Sequence, residues 1–151
     1  MNTRYEQDIV AWANEQARLL RAGRFDLIDI ENVAEEIEDV GKSEQRELIS
    51  RMAVLLAHLL KWQYQPEQRG NSWRRTIQTQ RKRLLIALEE TPSLRARPAY
   101  IAWWDKVWLE AVEQAIQETH LDIFPEVCPW TFDEIINENW WPEMITSAAN
   151  D

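Results

Sequence analysis

Arg51 and His58 stand seven positions apart in the sequence, and both side chains can do chemistry on a phosphodiester. A spacing of seven puts two residues on one face of a helix, because two helical turns take about 7 residues. The histidine can then act as general acid or base on a ribose 2′-hydroxyl while the arginine stabilises the phosphate charge. The pair is a candidate catalytic site of a metal-independent ribonuclease. We favour the alternative, in which His58 is hydrogen-bonded at the margin of the core, for instance to a carboxylate of the second helix.

Four carboxylates lie close together at Glu35, Glu36, Glu38 and Asp39. Divalent cations such as Mg²⁺ prefer several carboxylate oxygens at one point, so Glu35 and Glu38 are candidate ligands of a metal-dependent nucleotide hydrolase. If Ile37 lies at the centre of the apolar stripe, however, Glu35 points away from the core and Glu38 lies at one edge. We therefore favour a solvated or ion-paired helix face, and we predict no bound metal and no cofactor.

Positive charge is concentrated between residues 69 and 97, although the whole chain has a formal net charge of −9. A negative net charge disfavours general DNA or RNA binding, because phosphate contacts supply most non-specific affinity. A local patch is still a candidate site for phosphate or nucleic acid, with Arg74, Arg75 and Arg81 as ligands and Trp73 stacking on a base. We favour an internal match between this basic helix and the acidic second helix, and an acidic protein partner is a third alternative.

The chain contains 9 tryptophans, and some of them are neighbours in the sequence. Adjacent residues of a helix point in different directions, so both members of such a pair cannot face the core. We expect Trp104 and Trp108 to be buried. We expect Trp103, together with either Trp140 or Trp141, to cover an edge or to bind a partner, because tryptophan is enriched at interface hot spots. A protein partner is therefore predicted, and a homodimer is one form of it.

Helical periodicity covers most of the chain and places these candidates on helices. Capping boxes, glycines and prolines divide the pattern into five main helices and a short C-terminal one. Thr3 is predicted to cap the first helix and Gly41 to end the second, while the third is central because of its broad leucine face. No segment alternates with period two for long enough to compete as a strand, so we predict an all-α, single-domain helical bundle. The predicted helices are 4–22, 30–40, 43–64, 72–91, 98–120 and 132–138, with a frayed tail at 146–151.

Length and composition suit one folded domain, since the chain has 151 residues, of which 45% are hydrophobic. The single Cys128 cannot form an internal disulfide, which suits a reducing cytosol and a small packed side chain. No signal-peptide pattern opens the chain. The longest apolar run, Met52–Leu60, has about half of the roughly 20 residues that a membrane-spanning helix needs. We predict a cytoplasmic protein without a membrane segment.

Several short motifs occur in an order that resembles one known family. They are similar to the bacterial family catalogued as domain of unknown function 29, over residues 5–142. The resemblance implies an all-helical fold and assigns no activity. It also implies that the matching Glu35, Glu36, Glu38, His58, Lys61, Trp62 and Trp73 belong to the family pattern. The motifs are Tyr5-Glu6-Gln7-Asp8, Trp12, Glu35-Glu36-Ile37-Glu38, His58-Leu59-Leu60-Lys61-Trp62, Trp73, Thr76-Ile77, Pro92-Ser93-Leu94, Glu118-Thr119 and Phe124-Pro125-Glu126-Val127-Cys128-Pro129.

Two local patterns also resemble known sites. The Arg-x6-His spacing is similar to the short motif of helical ribonucleases of the HEPN superfamily, but Met52 stands where that motif carries a polar residue. The acidic cluster resembles the Mg²⁺-binding Glu-Glu-x-x-Glu helices of all-α nucleotide pyrophosphatases, but the partner Glu-x-x-Asp helix is absent downstream. Both departures favour a different function.

The leading hypothesis is a cytosolic helical-bundle protein that binds another protein and has no catalysis of its own. The surplus of tryptophan and the segregated charge support it. The second hypothesis is the ribonuclease with Arg51 and His58, and the third is the nucleotide hydrolase with Glu35 and Glu38. Nucleic-acid binding through residues 69–97 is less favoured than a protein partner, and no membrane is expected.

Overall fold

A computed structural model of the protein describes residues 4–144, and this part of the chain is helical without any strand. Six of its helices have five or more residues: four long α-helices, a 3-10 helix of 8 residues and one short α-helix of 5 residues. The all-α prediction is therefore confirmed. None of the described helices is long and apolar enough to cross a membrane. The α-helices are α1 Ile9–Arg21, α2 Ile30–Tyr64, α3 Asn71–Glu90, α4 Ile101–Thr119 and α5 Phe132–Ile136, and the 3-10 helices are Phe25–Leu27, Pro66–Gln68 and Pro92–Ala99.

The helices predicted at 30–40 and 43–64 are one continuous helix, α2. Gly41 does not adopt the left-handed conformation that ends a helix, so the prediction that it ends the second helix was wrong. A glycine inside a helix costs about 1 kcal/mol relative to alanine. Each leucine that the C-terminal half of α2 buries contributes roughly 1.5–3 kcal/mol, which offsets that cost several times over.

Other helix ends differ from the prediction for local reasons. α1 begins at Ile9 and not at residue 4, because the carboxylate of Asp8 caps it by accepting from the backbone N–H of Ala11. The predicted cap Thr3 and the predicted frayed tail at 146–151 lie outside the described residues. Pro98 does not open α4, because it lies inside a 3-10 helix and the extended Tyr100 separates the two helices. α5 has the predicted capping box, and it ends at Ile136 and not at residue 138.

The chain divides into two compact units, Met1–Glu44 and Gln45–Asp151, with the boundary inside α2. The predicted single domain stays a prediction. In the first unit, Trp12 and Leu19 of α1 are buried. The indole N–H of Trp12 donates to the Asp29 carboxylate at 3.0 Å, and the backbone N–H of Asp29 donates to Gln16 at 2.8 Å. Polar contacts therefore join α1 to the start of α2.

The second unit contains the hydrophobic core of the described chain. The C-terminal half of α2 supplies 10 of the 20 buried residues of this core, in line with its predicted central position. Side chains of α3, α4 and α5 pack against that half. The core residues include Leu48, Met52, Leu55, Leu56, Leu59 and Leu60 of α2, Ile77, Leu84 and Leu88 of α3, Val107, Ala111 and Ala115 of α4, and Ile135 of α5.

Candidate functional site

Arg51 and His58 both lie on α2, but each is held by its own partner. The Nδ1 atom of His58 lies 2.9 Å from the carbonyl oxygen of Val54, so Nδ1 carries the proton and donates it. Burial lowers the pKa of His58 below its usual value, which keeps the ring neutral. Arg51 forms an ion pair with Glu47 at 2.6 Å. His58 is hydrogen-bonded as we favoured, but to a backbone carbonyl and not to a carboxylate of the second helix.

The second nitrogen of His58 faces Lys61, whose ammonium lies 3.4 Å from Nε2. Lys61 is buried and forms an ion pair with Glu118 of α4. The same ammonium lies 5.0 Å from the centre of the Trp73 ring on α3, within the range of a cation–π contact. Burial by itself raises the pKa of Glu118, but hydrogen bonds from Lys61 and Gln114 outweigh it and lower the pKa. This polar cluster links α2, α3 and α4.

The acidic segment of α2 does not have the orientation that its sequence predicts. Ile37, which we placed at the centre of the buried stripe, is 67% exposed. Glu36 instead accepts a hydrogen bond from the hydroxyl of Tyr5. Glu35 and Glu38 are both exposed, and the described residues contain no group of three or more His, Cys, Asp or Glu side chains placed to hold a metal ion. Among the described residues, Glu35 and Glu38 therefore have no third side chain placed to complete a metal site.

Three arginines of the basic segment pack against tryptophan rings. Trp62 and Trp141 stack with their ring centres 4.6 Å apart. Arg69 lies 4.7 Å from the Trp62 ring, Arg74 lies 5.5 Å from each ring, and Arg81 lies 5.3 Å from Trp141. Cation–π contacts of this kind contribute about 0.5–2 kcal/mol each. The cluster accounts for three of the eight basic residues between positions 69 and 97.

Arg81 is fully buried, so its predicted role as an exposed ligand for phosphate was wrong. Its Nε donates to the carbonyl oxygen of Ile135 at 2.8 Å, and burial lowers its pKa to about 10. Trp73 is half-buried beneath Lys61, whereas Arg75 is exposed. The predicted match between the basic and acidic helices stays a prediction, because the two segments belong to different units.

The orientation of the tryptophan pair on α4 is the reverse of the predicted one. Trp103 is buried and Trp104 is half-buried. The reason is helical spacing, because Trp103 continues the buried stripe formed by Val107 and Ala111, one turn apart. Trp108 is buried as predicted. Trp103 therefore cannot cover a partner surface.

Both members of the second pair contact rings of their own chain. Trp141 stacks on Trp62, and Trp140 lies 5.6 Å from Trp130 in an edge-to-face arrangement. Both are half-buried. Trp104 of α4 likewise is half-buried and contacts rings of its own chain, those of Trp103 and Phe132.

An apolar groove, which we call the α4 groove, runs between one face of α4 and the segment that follows it. Its volume is about 780 Å³. The indole N–H of Trp108 donates to the carbonyl oxygen of Pro125 at 2.9 Å, and the Trp108 and Trp130 rings meet edge to face at 6.0 Å. These contacts hold the two walls together. The groove is lined by Pro98, Ala99, Ile101, Trp104, Asp105, Trp108, Leu109, Val112, Asp122, Phe124, Pro125, Glu126, Val127, Cys128 and Trp130.

The rim of the α4 groove combines exposed aliphatic groups with negative charge. Ile101 is 78% exposed and Val127 is 75% exposed. The charged residues of the lining are Asp105, Asp122 and Glu126, and the lining contains no Lys, Arg or His. The groove therefore matches a ligand that is apolar along its length and positively charged at its edges.

The α4 groove was missed from the sequence, although part of its signal is there. Ile101, Trp108 and Val112 form a second apolar stripe on α4, beside the one that faces the core. Trp108 is buried whereas Ile101 is exposed, so the described chain covers this second stripe only in part. Cys128 is half-buried as expected for a packed side chain, and burial raises its pKa to about 11, so the group is a thiol at neutral pH.

Comparison with known proteins identifies one family. The family model described as "Domain of unknown function DUF29" matches residues 4–141, which is most of the chain. Among curated proteins and among solved structures, nothing matches this chain.

Proposed function

The chain belongs to the family described as Domain of unknown function DUF29, and we propose that it works as a protein-interaction module without catalysis of its own. The binding partner of this module is a segment of another protein that is apolar at its centre and carries lysine or arginine at its ends. This segment binds in the α4 groove. We expect the module to act in the cytoplasm, which its lone Cys128 suits.

One observation carries the proposal. The α4 groove combines aromatic walls with a rim whose charged groups are all carboxylates, Asp105, Asp122 and Glu126. Exposed aliphatic side chains at the edge of such a groove lose water when a partner covers them, which contributes roughly 1.5–3 kcal/mol for a fully buried side chain. The carboxylates select the sign of the partner's charge and its orientation.

The volume of the α4 groove, about 780 Å³, is that of a site for a few side chains and not of a large interface. An interaction of this size is transient, with affinity supplied by a few anchors. Trp104 is the central anchor of the groove, because it is half-buried and forms part of the wall.

The test measures binding of two labelled peptides by fluorescence anisotropy. Both have the same apolar centre, and one carries lysines at its ends while the other carries glutamates. We expect the lysine peptide to bind and the glutamate peptide not to bind. A double variant, Ile101→Ser with Val127→Ser, should weaken it at least roughly tenfold.

The matched control is Ile86→Ser, because Ile86 is an exposed isoleucine of α3 outside the groove. This control should bind the lysine peptide as the unchanged protein does. Equal binding of both peptides, or equal weakening by the control and the groove variant, would exclude the α4 groove as the site.

Neither catalytic alternative has a comparable observation in its favour. The Nδ1 atom of His58 donates its proton to the carbonyl oxygen of Val54, and the Nε2 atom faces the ammonium of Lys61. Arg51 forms an ion pair with Glu47. Glu35 and Glu38 are exposed carboxylates on a solvated helix face. Binding, and not catalysis, is therefore the function that we put forward.

A further inference from the structure

A second apolar surface lies on the first unit, far along the chain from the α4 groove. It consists of Ile30, Val33, Ile37 and Val40 of α2, and we call it the Ile/Val stripe. Ile30, Ile37 and Val40 are each about two-thirds exposed, at 68%, 67% and 65%. Their spacing of three and four residues places them on one face of the helix, as in the seam of a coiled coil. Large aliphatic groups in line on a solvated helix face are a sign of a partner helix.

Polar contacts of the first unit lie along one edge of the Ile/Val stripe. Asp29, just before the helix, accepts from the indole of Trp12, and Glu36 accepts from the hydroxyl of Tyr5. Glu36 lies three residues after Val33 and four before Val40, so it borders the stripe beside the half-buried Val33, whereas Ile30, Ile37 and Val40 stay exposed. The exposed part of the stripe therefore consists of Ile30, Ile37 and Val40.

The charge around the Ile/Val stripe has a single sign. Residues 25–41 contain no lysine or arginine. Glu31 and Glu38 are exposed and lie along one edge of the stripe, one residue after Ile30 and Ile37. The acidic residues of this segment are Asp26, Asp29, Glu31, Glu35, Glu36, Glu38 and Asp39.

We propose that the Ile/Val stripe binds an amphipathic helix of another protein whose apolar seam is flanked by lysine or arginine. The four aliphatic side chains span about three helical turns, so the partner helix needs roughly the same length. The carboxylates of Glu31 and Glu38 pair with its flanking cations. This interaction is separate from the α4 groove and takes a helical partner.

A second copy of this chain is a poor occupant of the same surface. Two such stripes brought together would place Glu31, Glu36 and Glu38 of one copy beside the same carboxylates of the other. Like charges at the edges of a helix pair are how coiled coils reject a wrong partner. A basic helix meets no such repulsion.

The test uses a peptide of three heptads with leucine at the seam positions and lysine at the flanking positions. A matched peptide carries glutamate in place of lysine. Binding is measured by isothermal titration calorimetry with the full chain in the Ile101→Ser/Val127→Ser background, so that the α4 groove does not contribute. We expect the lysine peptide to bind, the glutamate peptide not to bind, and affinity to fall as salt is raised.

Substitutions then locate the site. Ile37→Gln should weaken binding of the lysine peptide at least roughly tenfold, because an isoleucine that the partner helix covers contributes the equivalent of that factor or more. The control Ile86→Gln, on an exposed isoleucine of α3, should leave the affinity unchanged. The pair Glu31→Gln with Glu38→Gln should reduce the salt dependence, whereas Glu89→Gln with Glu90→Gln should not.

Three results would overturn the proposal. The first is no binding of the lysine peptide, or equal binding of both peptides. The second is an Ile37→Gln protein that binds as tightly as the Ile86→Gln control. The third is a homodimer in sedimentation velocity that Ile37→Gln dissociates, because the stripe would then serve a second copy. Circular dichroism of each variant checks that helix content is retained, which we expect for exposed positions.

Discussion

Lys61 of α2 and Glu118 of α4 form an ion pair across the second unit, although 57 residues separate them in the sequence. Lys61 is buried, whereas the side chain of Glu118 is 40% exposed. The ammonium also contacts His58 and the ring of Trp73, so Lys61 interacts with three neighbouring side chains. The cluster explains why lysine and histidine, which are usually exposed, lie beside a leucine core.

Lys61→Met should lower the free energy of unfolding by about 1–2 kcal/mol, because it leaves Glu118 and His58 without their shared donor. The loss stays below that of a fully buried pair, since water reaches the Glu118 carboxylate. Urea denaturation measures the effect. Lys82→Met, on the exposed face of α3, is the matched control and should change stability by less than about 0.5 kcal/mol. Equal effects of the two substitutions would show that the ion pair is not stabilising.

His58 should make stability depend on pH below neutrality. Its pKa in the folded protein lies below 6.5 because the ring is buried, so the unfolded chain binds the proton first. This contribution to stability is complete above pH 6.5 and is lost as the pH falls from there toward the folded pKa. We expect His58→Gln to lose less stability than the unchanged protein between neutral pH and pH 5.5. Parallel curves of stability against pH for the two proteins would refute this.

Arg81→Lys should destabilise the second unit by about 1–3 kcal/mol, because a lysine cannot both stack on Trp141 and donate to Ile135 as the guanidinium does. Because lysine is also positively charged, the loss of stability would come from the different hydrogen-bonding geometry of its side chain. Arg75→Lys is the matched control, since Arg75 is exposed on the same helix. Thermal and urea unfolding should separate the two variants, and identical midpoints would mean that Arg81 is not a structural residue.

Tyr5 should titrate later than an ordinary tyrosine. Its hydrogen bond to Glu36 raises the pKa of Tyr5 to about 12, with neighbouring carboxylates adding to the effect. Absorbance at alkaline pH should show a late phenolate that disappears in Tyr5→Phe. Because the folded pKa is the higher one, the hydrogen bond stabilises the fold below pH 10 and stops doing so as the pH rises toward 12. In Glu36→Gln the late phenolate should move toward the ordinary value of 10.0; if it stays late, Glu36 is not the cause.

The features of the fold that the sequence predicts correctly are those that depend on residues close together in the chain. The capping box of Thr131 and Glu134 and the limits of α3 follow from local spacing, and both agree with the sequence within one residue. Gly41 shows the limit of this reasoning. A glycine can end a helix or continue it, and the choice depends on the packing of residues beyond it.

The candidate sites were harder to predict, because a site depends on which face each helix buries. The sequence identified His58, Lys61 and Trp73 as members of a pattern but not that they meet, and their common partner Glu118 is distant in the chain. It grouped Arg74 and Arg81 as one patch, whereas Arg81 is fully buried and Arg74 is exposed.

The sequence by itself determined an all-α chain and the separation of its charges along the chain, because periodicity and composition are properties of the chain alone. The tertiary structure decided that Trp103 is buried while Trp104 lines the α4 groove, and that Ile37 is exposed while Glu36 binds Tyr5. An amphipathic pattern states that a helix has an apolar face. Which face is covered depends on the element that packs against it, and only the folded chain supplies that element.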